Sequence, residues 1–321
     1  MDWNVLWDGL PDHTLDGLTR GAIYALVALG YTLVYGVMRL INFAHSEVFM
    51  VGTFAVLGVY AALGATVGMG WPAVVGITLV ALAAAVAASA STALAVERIA
   101  YRPLRRKNAP PLIFLITAIG CSLTLLEIFG FVLYEFFGSP FGRGVVSIDP
   151  IFPSRNLVET DLINITNVEL LVMVSALVMM VGLDWFVNRS RIGRGIRAVA
   201  QSPDNAALMG INQERVIMLV FVVGGAMAGV AALLWTIRYD VTKFDVGFII
   251  GIKAFTAAVL GGIGNLRGAL LGGLLLGVIE VYFSVLVDSS WVDVTAFVVL
   301  VLVLMFRPTG LLGESLGKAR A

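Results

Sequence analysis

The sequence predicts an all-α fold: a polytopic transmembrane helical bundle of about eight to nine spanning segments, forming a single domain over residues 1–321. Three observations predict it. Hydrophobic residues make up 59% of the chain and charged residues 13%, about half the charge of a soluble domain. Apolar runs of bilayer length recur from one end to the other. The Lys and Arg residues cluster between those runs rather than along them, as the positive-inside bias requires. Formal net charge is zero, so no overall field points to nucleic acid or an acidic partner, and membrane lipid is the expected surrounding.

At the N-terminus, Asp2, Asp8, Asp12 and Asp16 precede Arg20, the reverse of the basic start of a cleaved signal peptide. Trp3, Leu6, Trp7 and Leu10 fall at helical spacing, so residues 1–14 read as an interfacial helix lying on the membrane, or equally as a frayed tail. A window of roughly 20 residues then finds spans near 15–38, 42–63, 72–96, 111–137, 169–187, 216–237, 246–263, 268–287 and 292–306. The second and seventh carry glycine and polar residues near one end. Each therefore reads as a broken or re-entrant helix, stable only where protein covers it or water reaches it. Both being short and glycine-flanked, these two are candidates for corresponding elements of an internal repeat, although the similarity between the halves is slight.

Orientation follows from the short basic loops. Arg98, Arg102, Arg105, Arg106 and Lys107 follow the third span, and Arg189, Arg191, Arg194, Arg197 and Arg215 lie between the fifth and sixth. Both loops are expected in the cytoplasm. The loop between them, residues 138–168, holds only Arg143 and Arg155 as basic residues and is expected outside. The same parity puts Arg39, Arg267, Arg307, Lys318 and Arg320 inside and the acidic N-terminus outside.

Glycines at four-residue spacing let helix backbones approach: Gly17 and Gly21, Gly225 and Gly229, Gly264 and Gly268, Gly268 and Gly272, Gly273 and Gly277. The segment Gly262-Ile-Gly-Asn-Leu-Arg-Gly268 superficially resembles a dinucleotide-binding turn, but membrane-length segments flank it and no strand-helix-strand unit surrounds it. Cys121 is the single cysteine and reads as a small hydrophobe. The two histidines, His13 and His45, are too few for a zinc site, and no metal site is expected. A catalytic residue set is likewise not expected, since neither a nucleophile elbow nor a G-x-x-x-x-G-K-[ST] phosphate loop occurs. ATP hydrolysis, if any, must come from another subunit.

The least lipid-like stretch is 188–215. Its first half, Asn188 to Arg197, is basic and reads as a topological anchor. In the second half Pro203 opens a helical turn capped by Ser202, Asp204 lies in the first turn, and Gly210 suits the exit. The expected product is a short cytoplasmic helix with Ala206, Ala207, Leu208 and Met209 on its surface. Such residues suit a partner groove, or else packing on the chain's own bundle.

The run Gly195-Ile-Arg-Ala-Val-Ala-Gln-Ser-Pro-Asp-Asn-Ala-Ala-Leu-Met-Gly-Ile-Asn212 resembles the coupling loop of branched-chain amino acid (LivH-type) ABC importer permeases. Two further segments agree: Tyr24-Ala-Leu-Val-Ala-Leu-Gly-Tyr-Thr-Leu-Val-Tyr-Gly36 with Ile41-Asn-Phe-Ala-His-Ser-Glu47, and Lys253-Ala-Phe-Thr-Ala-Ala-Val-Leu-Gly-Gly-Ile-Gly264 with Gly268-Ala-Leu-Leu-Gly-Gly273. The resemblance covers nearly the whole chain in order. It departs at Ser46, where the family carries glycine, and the added hydroxymethyl bears on the turn at Asn42–Glu47. The resemblance implies a permease subunit in a bacterial inner membrane, without a cofactor of its own. Its implied partners are a second homologous permease, two cytoplasmic ATPases that bind ATP and Mg, and an extracytoplasmic substrate-binding protein. Arg197, Ser202, Asp204, Ala206, Ala207 and Gly210 are the implied ATPase-coupling residues. A urea or other small-solute ABC permease would share the same loop, and a gradient-driven carrier would transport alone.

Polar groups at membrane depth need a cavity or a partner. Asn42, His45 and Glu47 open the second span, and Lys253 and Thr256 open the seventh. Together with Tyr31, these are the candidates for the translocation pathway, with a purely structural polar network as the alternative. Tyr24 shares a helical face with Tyr31. Glu127 and Glu280 lie deeper and suit either proton relay or interhelical hydrogen bonding, while Asp184 and Glu97 have arginines to anchor them.

Overall fold

The computed structural model describes residues 9–138, 143–160, 163–287 and 291–313. Helix α1, Leu10–Met38, is followed by α2, His45–Ala62, and α3, Trp71–Val96. A π-helical turn, Glu97–Tyr101, carries α3 into α4, Arg102–Arg106, and α5 spans Pro111–Phe137. Three short strands follow, β1 Val145–Ser147, β2 Asn156–Thr160 and β3 Ile163–Thr166, and then α6, Asn167–Arg189. Helices α7, Arg191–Gln201, and α8, Pro203–Leu208, lead into α9, Gln213–Tyr239. Strand β4, Val241–Lys243, precedes α10, Val246–Gly261, α11, Leu266–Leu286, and α12, Val292–Phe306.

Among the described residues, seven helices are long and apolar enough to cross a bilayer. The other two expected spans are shorter. Helix α10 has 16 residues and α12 has 15, roughly 24 and 22 Å at 1.5 Å per residue, short of a hydrocarbon core of roughly 30 Å. The interfacial helix expected over 1–14 lies mostly outside the described residues, as do Lys318 and Arg320. Its described end is the first turn of α1 rather than a separate element.

The two faces of the bundle separate as the charge pattern requires. On one, Arg106 pairs with Glu214 at 2.9 Å and Arg267 with Asp184 at 3.3 Å. On the other, Asp16 and Glu169 share Arg238, at 3.1 and 3.6 Å. The buried Glu97 carboxylate accepts from Arg105 at 2.9 Å and Arg102 at 3.5 Å, which folds the arginine-rich turn back on the end of α3. The loop between α5 and α6 carries short strands. Strand β1 pairs antiparallel with β4, and β2 with β3. These strands are too short to show an alternating pattern, and β1 meets β4 only after four intervening helices. Thr166 and Glu169 form a capping box that starts α6 at Asn167.

Glycines set the closest helix contacts. A Cβ on Gly17 would lie 2.7 Å from the Val278 Cα, and one on Gly21 2.7 Å from the Leu274 Cα, so α1 and α11 touch backbone to backbone. Gly229 meets Val86 Cα of α3 in the same way at 2.7 Å. Gly264 does not belong with these. It adopts φ +98 in the α10–α11 turn with open space around it, so its role is conformational.

Helices α2 and α10 each start within the bundle after a non-helical lead, although α2, unlike α10, is long enough to cross a bilayer. Helix α1 is capped by Arg39 and α9 by Asp240, both with φ 53 and both with the backbone N–H bonded to the carbonyl four residues back. Each is followed by a non-helical lead of six residues, 39–44 and 240–245, that enters from opposite faces. The leads converge. His45 at the start of α2 lies against Gly30, roughly 12 Å inside the end of α1. Gly247 at the start of α10 lies against Ser46 and Glu47. The pairings of α2 with α3 and α1 with α11 recur as α10 with α11 and α9 with α3, so the two segments occupy corresponding places.

Candidate functional site

The 188–215 stretch folds into two helices. Ser190 caps α7 by accepting from the Gly193 N–H at 2.8 Å, and Gly193, Ile196 and Val199 are buried beneath it. The basic half is therefore an amphipathic helix seated on the bundle, more than an anchor. Its arginines conceal that pattern in the sequence. Arg197 donates to the Val187 carbonyl and, at 3.5 Å, to Asn188, tying α7 to the end of α6.

Helix α8 forms as its cap signals predict. Ser202 Oγ accepts from the Asn205 N–H at 3.3 Å, Pro203 takes the first helical position and Asp204 the first turn. Gly210 ends it with φ +80. The Ile211 N–H donates to the Ala206 carbonyl and Gln213 to the Pro203 carbonyl, closing the loop on itself. One expectation is corrected: Ala206 is not on the outer surface but buried against the bundle. A six-residue helix has one inward position and Ala206 fills it. Ala207 is exposed, and Leu208 and Met209 are 85% and 82% exposed at the tip.

The six residues considered for a pathway are all buried. The Tyr31 and His45 rings meet edge to face at 4.8 Å. Asn42 Oδ1 accepts from Tyr101 at 3.0 Å, and Glu47 Oε1 from Ser122 at 3.0 Å and Ser46 at 3.3 Å. The single Ser46 hydroxyl proton is shared with the Phe43 carbonyl, which is closer at 2.6 Å, and the Ser46 Cβ packs where Gly251 leaves room. Lys253, on α10, pairs with Glu280 of α11 and, at 2.8 Å, with Asp293 of α12, and its ammonium lies 5.6 Å from the Tyr24 ring centroid. Thr256 is buried on the same helix. The structure thus gathers Tyr31, Asn42, His45 and Glu47 around the start of α2 and puts Lys253 in a separate ion cluster.

A cavity of about 770 Å³ opens on the arginine-rich face, between the end of α1, the α6–α7 junction and the α10–α11 turn. Of the sequence-predicted residues only Arg197 lines it, beside Arg39 and Asp184. On the opposite face, near the β1–β4 pairing, Arg143 and Lys243, which pairs with Asp245, lie near the same Phe244 ring, a grouping that no local sequence pattern signals.

Comparison with known proteins agrees with this architecture. The family described as branched-chain amino acid transport system / permease component matches residues 13–304. The permease protein BraD of Pseudomonas aeruginosa is 42% identical over 94% of this chain and 94% of its own length. Escherichia coli K12 LivH is 39% identical over 93% and 94%, and a probable LivH of Methanocaldococcus jannaschii is 25% identical over 91% and 89%. With its seven long apolar helices the chain is a multi-pass membrane protein, and it belongs to the family of branched-chain amino acid transport permease components.

Proposed function

We propose that the protein is the membrane permease of an ATP-driven importer for branched-chain or other hydrophobic amino acids, in the inner membrane of a bacterial cell. The observation that carries the coupling to ATP is the tip of α8, where Leu208 and Met209 stand almost fully exposed on the arginine-rich face. Exposed apolar side chains on a capped, self-closed helix suit a groove in another protein. In this reading Ala207, Leu208 and Met209 enter the ATPase, Ser202, Asp204 and Gly210 shape the helix, and Ala206 and Arg197 seat it on the bundle. ATP and Mg are held by two cytoplasmic ATPase subunits. A second homologous permease completes the pathway, and an extracytoplasmic binding protein delivers the solute. Tyr31, Asn42, His45, Glu47, Lys253 and Thr256 hold α2 and α10, the two helices that start inside the bundle and shape this chain's side of the pathway.

The test is Ala207→Arg, which alters the exposed surface and leaves the φ +80 glycine in place. ATPase copurification with the membrane complex, and ATP-dependent leucine uptake in proteoliposomes, are both expected to be lost. Unchanged association and uptake would sink the coupling assignment.

A further inference from the structure

We propose that an outward-opening pocket beside β4 receives the zwitterion of an aliphatic amino acid on its way into the pathway. This rests on the importer reading above and adds to it a place where the permease itself contacts the solute.

The pocket encloses about 200 Å³ and is walled by Val145, Trp235, Val241, Val246, Ile249 and Ile250. That is smaller than the roughly 300–1,000 Å³ of a site for drug-sized ligands, and it suits a side chain of a few carbons. Two charges sit on its rim. Lys243 Nζ donates to Asp245 Oδ2 at 2.8 Å. Both side chains are partly exposed, Lys243 at 39% and Asp245 at 29%, and both line the pocket, so a solute can reach the pair. Lys243 has three N–H donors and retains two beyond its bond to Asp245. A bound α-amino acid would donate from its ammonium to the Asp245 carboxylate and accept at its own carboxylate from Lys243, with its aliphatic side chain in the apolar pocket.

A second opposite-charge pair adjoins the rim. Arg143 donates to Glu127 Oε2 at 2.8 Å, with the two side chains 70% and 61% exposed. The Arg143 guanidinium lies 5.8 Å from the Phe244 ring centroid and the Lys243 ammonium 5.9 Å from it, so one ring links the two pairs. Glu127 stands on α5 between exposed Leu123, Ile128 and Phe131. A carboxylate this exposed is not stable against acyl chains. This side of the bundle therefore faces water or a second polypeptide, which is where a pathway between two permeases would run. A zwitterion that exchanges partners with two such pairs carries no net charge at any step. A cationic side chain would have to be desolvated against the apolar wall, so arginine and lysine are disfavoured.

The test uses the whole importer in proteoliposomes, with ATP inside and the binding protein outside. The same binding protein serves wild type and variants, so a change in the ratio of leucine to alanine uptake reports on the permease. Ile249→Trp, which fills the pocket, is expected to lower that ratio about tenfold, in line with the discrimination one or two methylenes support. Asp245→Asn is expected to cut leucine uptake at least about tenfold, the loss for a charged hydrogen bond left unmade, with Asp245→Glu recovering part of it. Copurifying ATPase measures assembly in each case, so a folding defect, which would strike both Asp245 variants alike, is separable. A diazirine analogue of leucine should label residues 241–250 or Trp235, in competition with leucine. Import by wild type with unchanged ratios and rates in the variants, or labelling elsewhere, would overturn the pocket and leave the importer reading intact. Failure of wild type to import leucine at all would remove both.

Discussion

The Lys253 cluster predicts an ordered set of mutant stabilities. Lys253 is buried, with a side chain 8% exposed, and its partners differ sharply: Glu280 is 1% exposed and Asp293 59%. Lys253→Met leaves the Glu280 carboxylate buried without its cation. Breaking a buried pair in this way costs about 3–5 kcal/mol. Glu280→Gln leaves the ammonium still paired with Asp293 at 2.8 Å, so the cost falls to that of one lost charged hydrogen bond, about 1.5–3 kcal/mol. Asp293→Asn removes an exposed partner and costs about 0–1 kcal/mol. The double variant Lys253→Met with Glu280→Gln removes both charges and is expected to be less damaging than the two singles added together, by about 0.5–3 kcal/mol. Unfolding of the detergent-solubilised permease, followed by tryptophan fluorescence against temperature and denaturant, ranks the four proteins. A Lys253→Met variant no worse than Asp293→Asn, or strict additivity in the double variant, would refute an ion pair that matters to the packing of α10 against α11.

Three further outcomes are expected. Gly30→Ala would put a Cβ 2.7 Å from His45 Cε1 and 3.0 Å from the Gly224 carbonyl; overpacking of this kind costs about 1–3 kcal/mol, read as a lower unfolding temperature, and Gly58→Ala, with open space around it, serves as the control. Ser202→Ala removes the α8 cap at a cost of about 1 kcal/mol, and faster amide exchange over residues 203–209 with unchanged exchange in α1 would show it. Burial holds the Asp240 carboxyl above its ordinary range, so ionising it works against the folded chain and stability from this group declines as pH rises through the carboxylate range. Asp240→Asn, which tolerates φ 53, is expected to flatten that decline in a series of unfolding temperatures, whereas an unchanged pH slope would assign the decline to other groups.

What the sequence showed and concealed divides along physical lines. The long spans were legible because an uninterrupted apolar run has one stable outcome in a bilayer. Helix α8 was legible because Ser202, Pro203 and Gly210 are local signals with local causes. The broken starts of α2 and α10 were legible as polar and glycine residues in short spans, although the meeting of His45 with Gly30 required the fold. The buried face of α7 was not legible, since Ile196 and Val199 are separated by arginines that dominate the composition. The inward turn of Ala206 was hidden because a single helical turn shows no periodicity. Gly264 matched a packing spacing and proved to be a turn residue, because spacing alone does not separate a close approach from a positive φ. Arg143, Lys243 and Asp245 carried no joint signal, since strand pairing across four helices unites them.

The starts of α2 and α10 inside the bundle have an electrostatic consequence. Each helix N-terminus carries the equivalent of roughly half a positive charge, and α2 and α10 both begin at the same depth inside the bundle. Their combined field amounts to roughly one unit of positive charge, in a region where low polarisability leaves it unscreened. Glu47 lies in the first turn of α2, and a Cβ on Gly247, in the first turn of α10, would come within 2.9 Å of its Oε2. An acidic residue thus stands at each of the two converging helix ends, Glu47 in the first turn of α2 and Asp245 immediately before α10, where the helix dipoles favour a carboxylate.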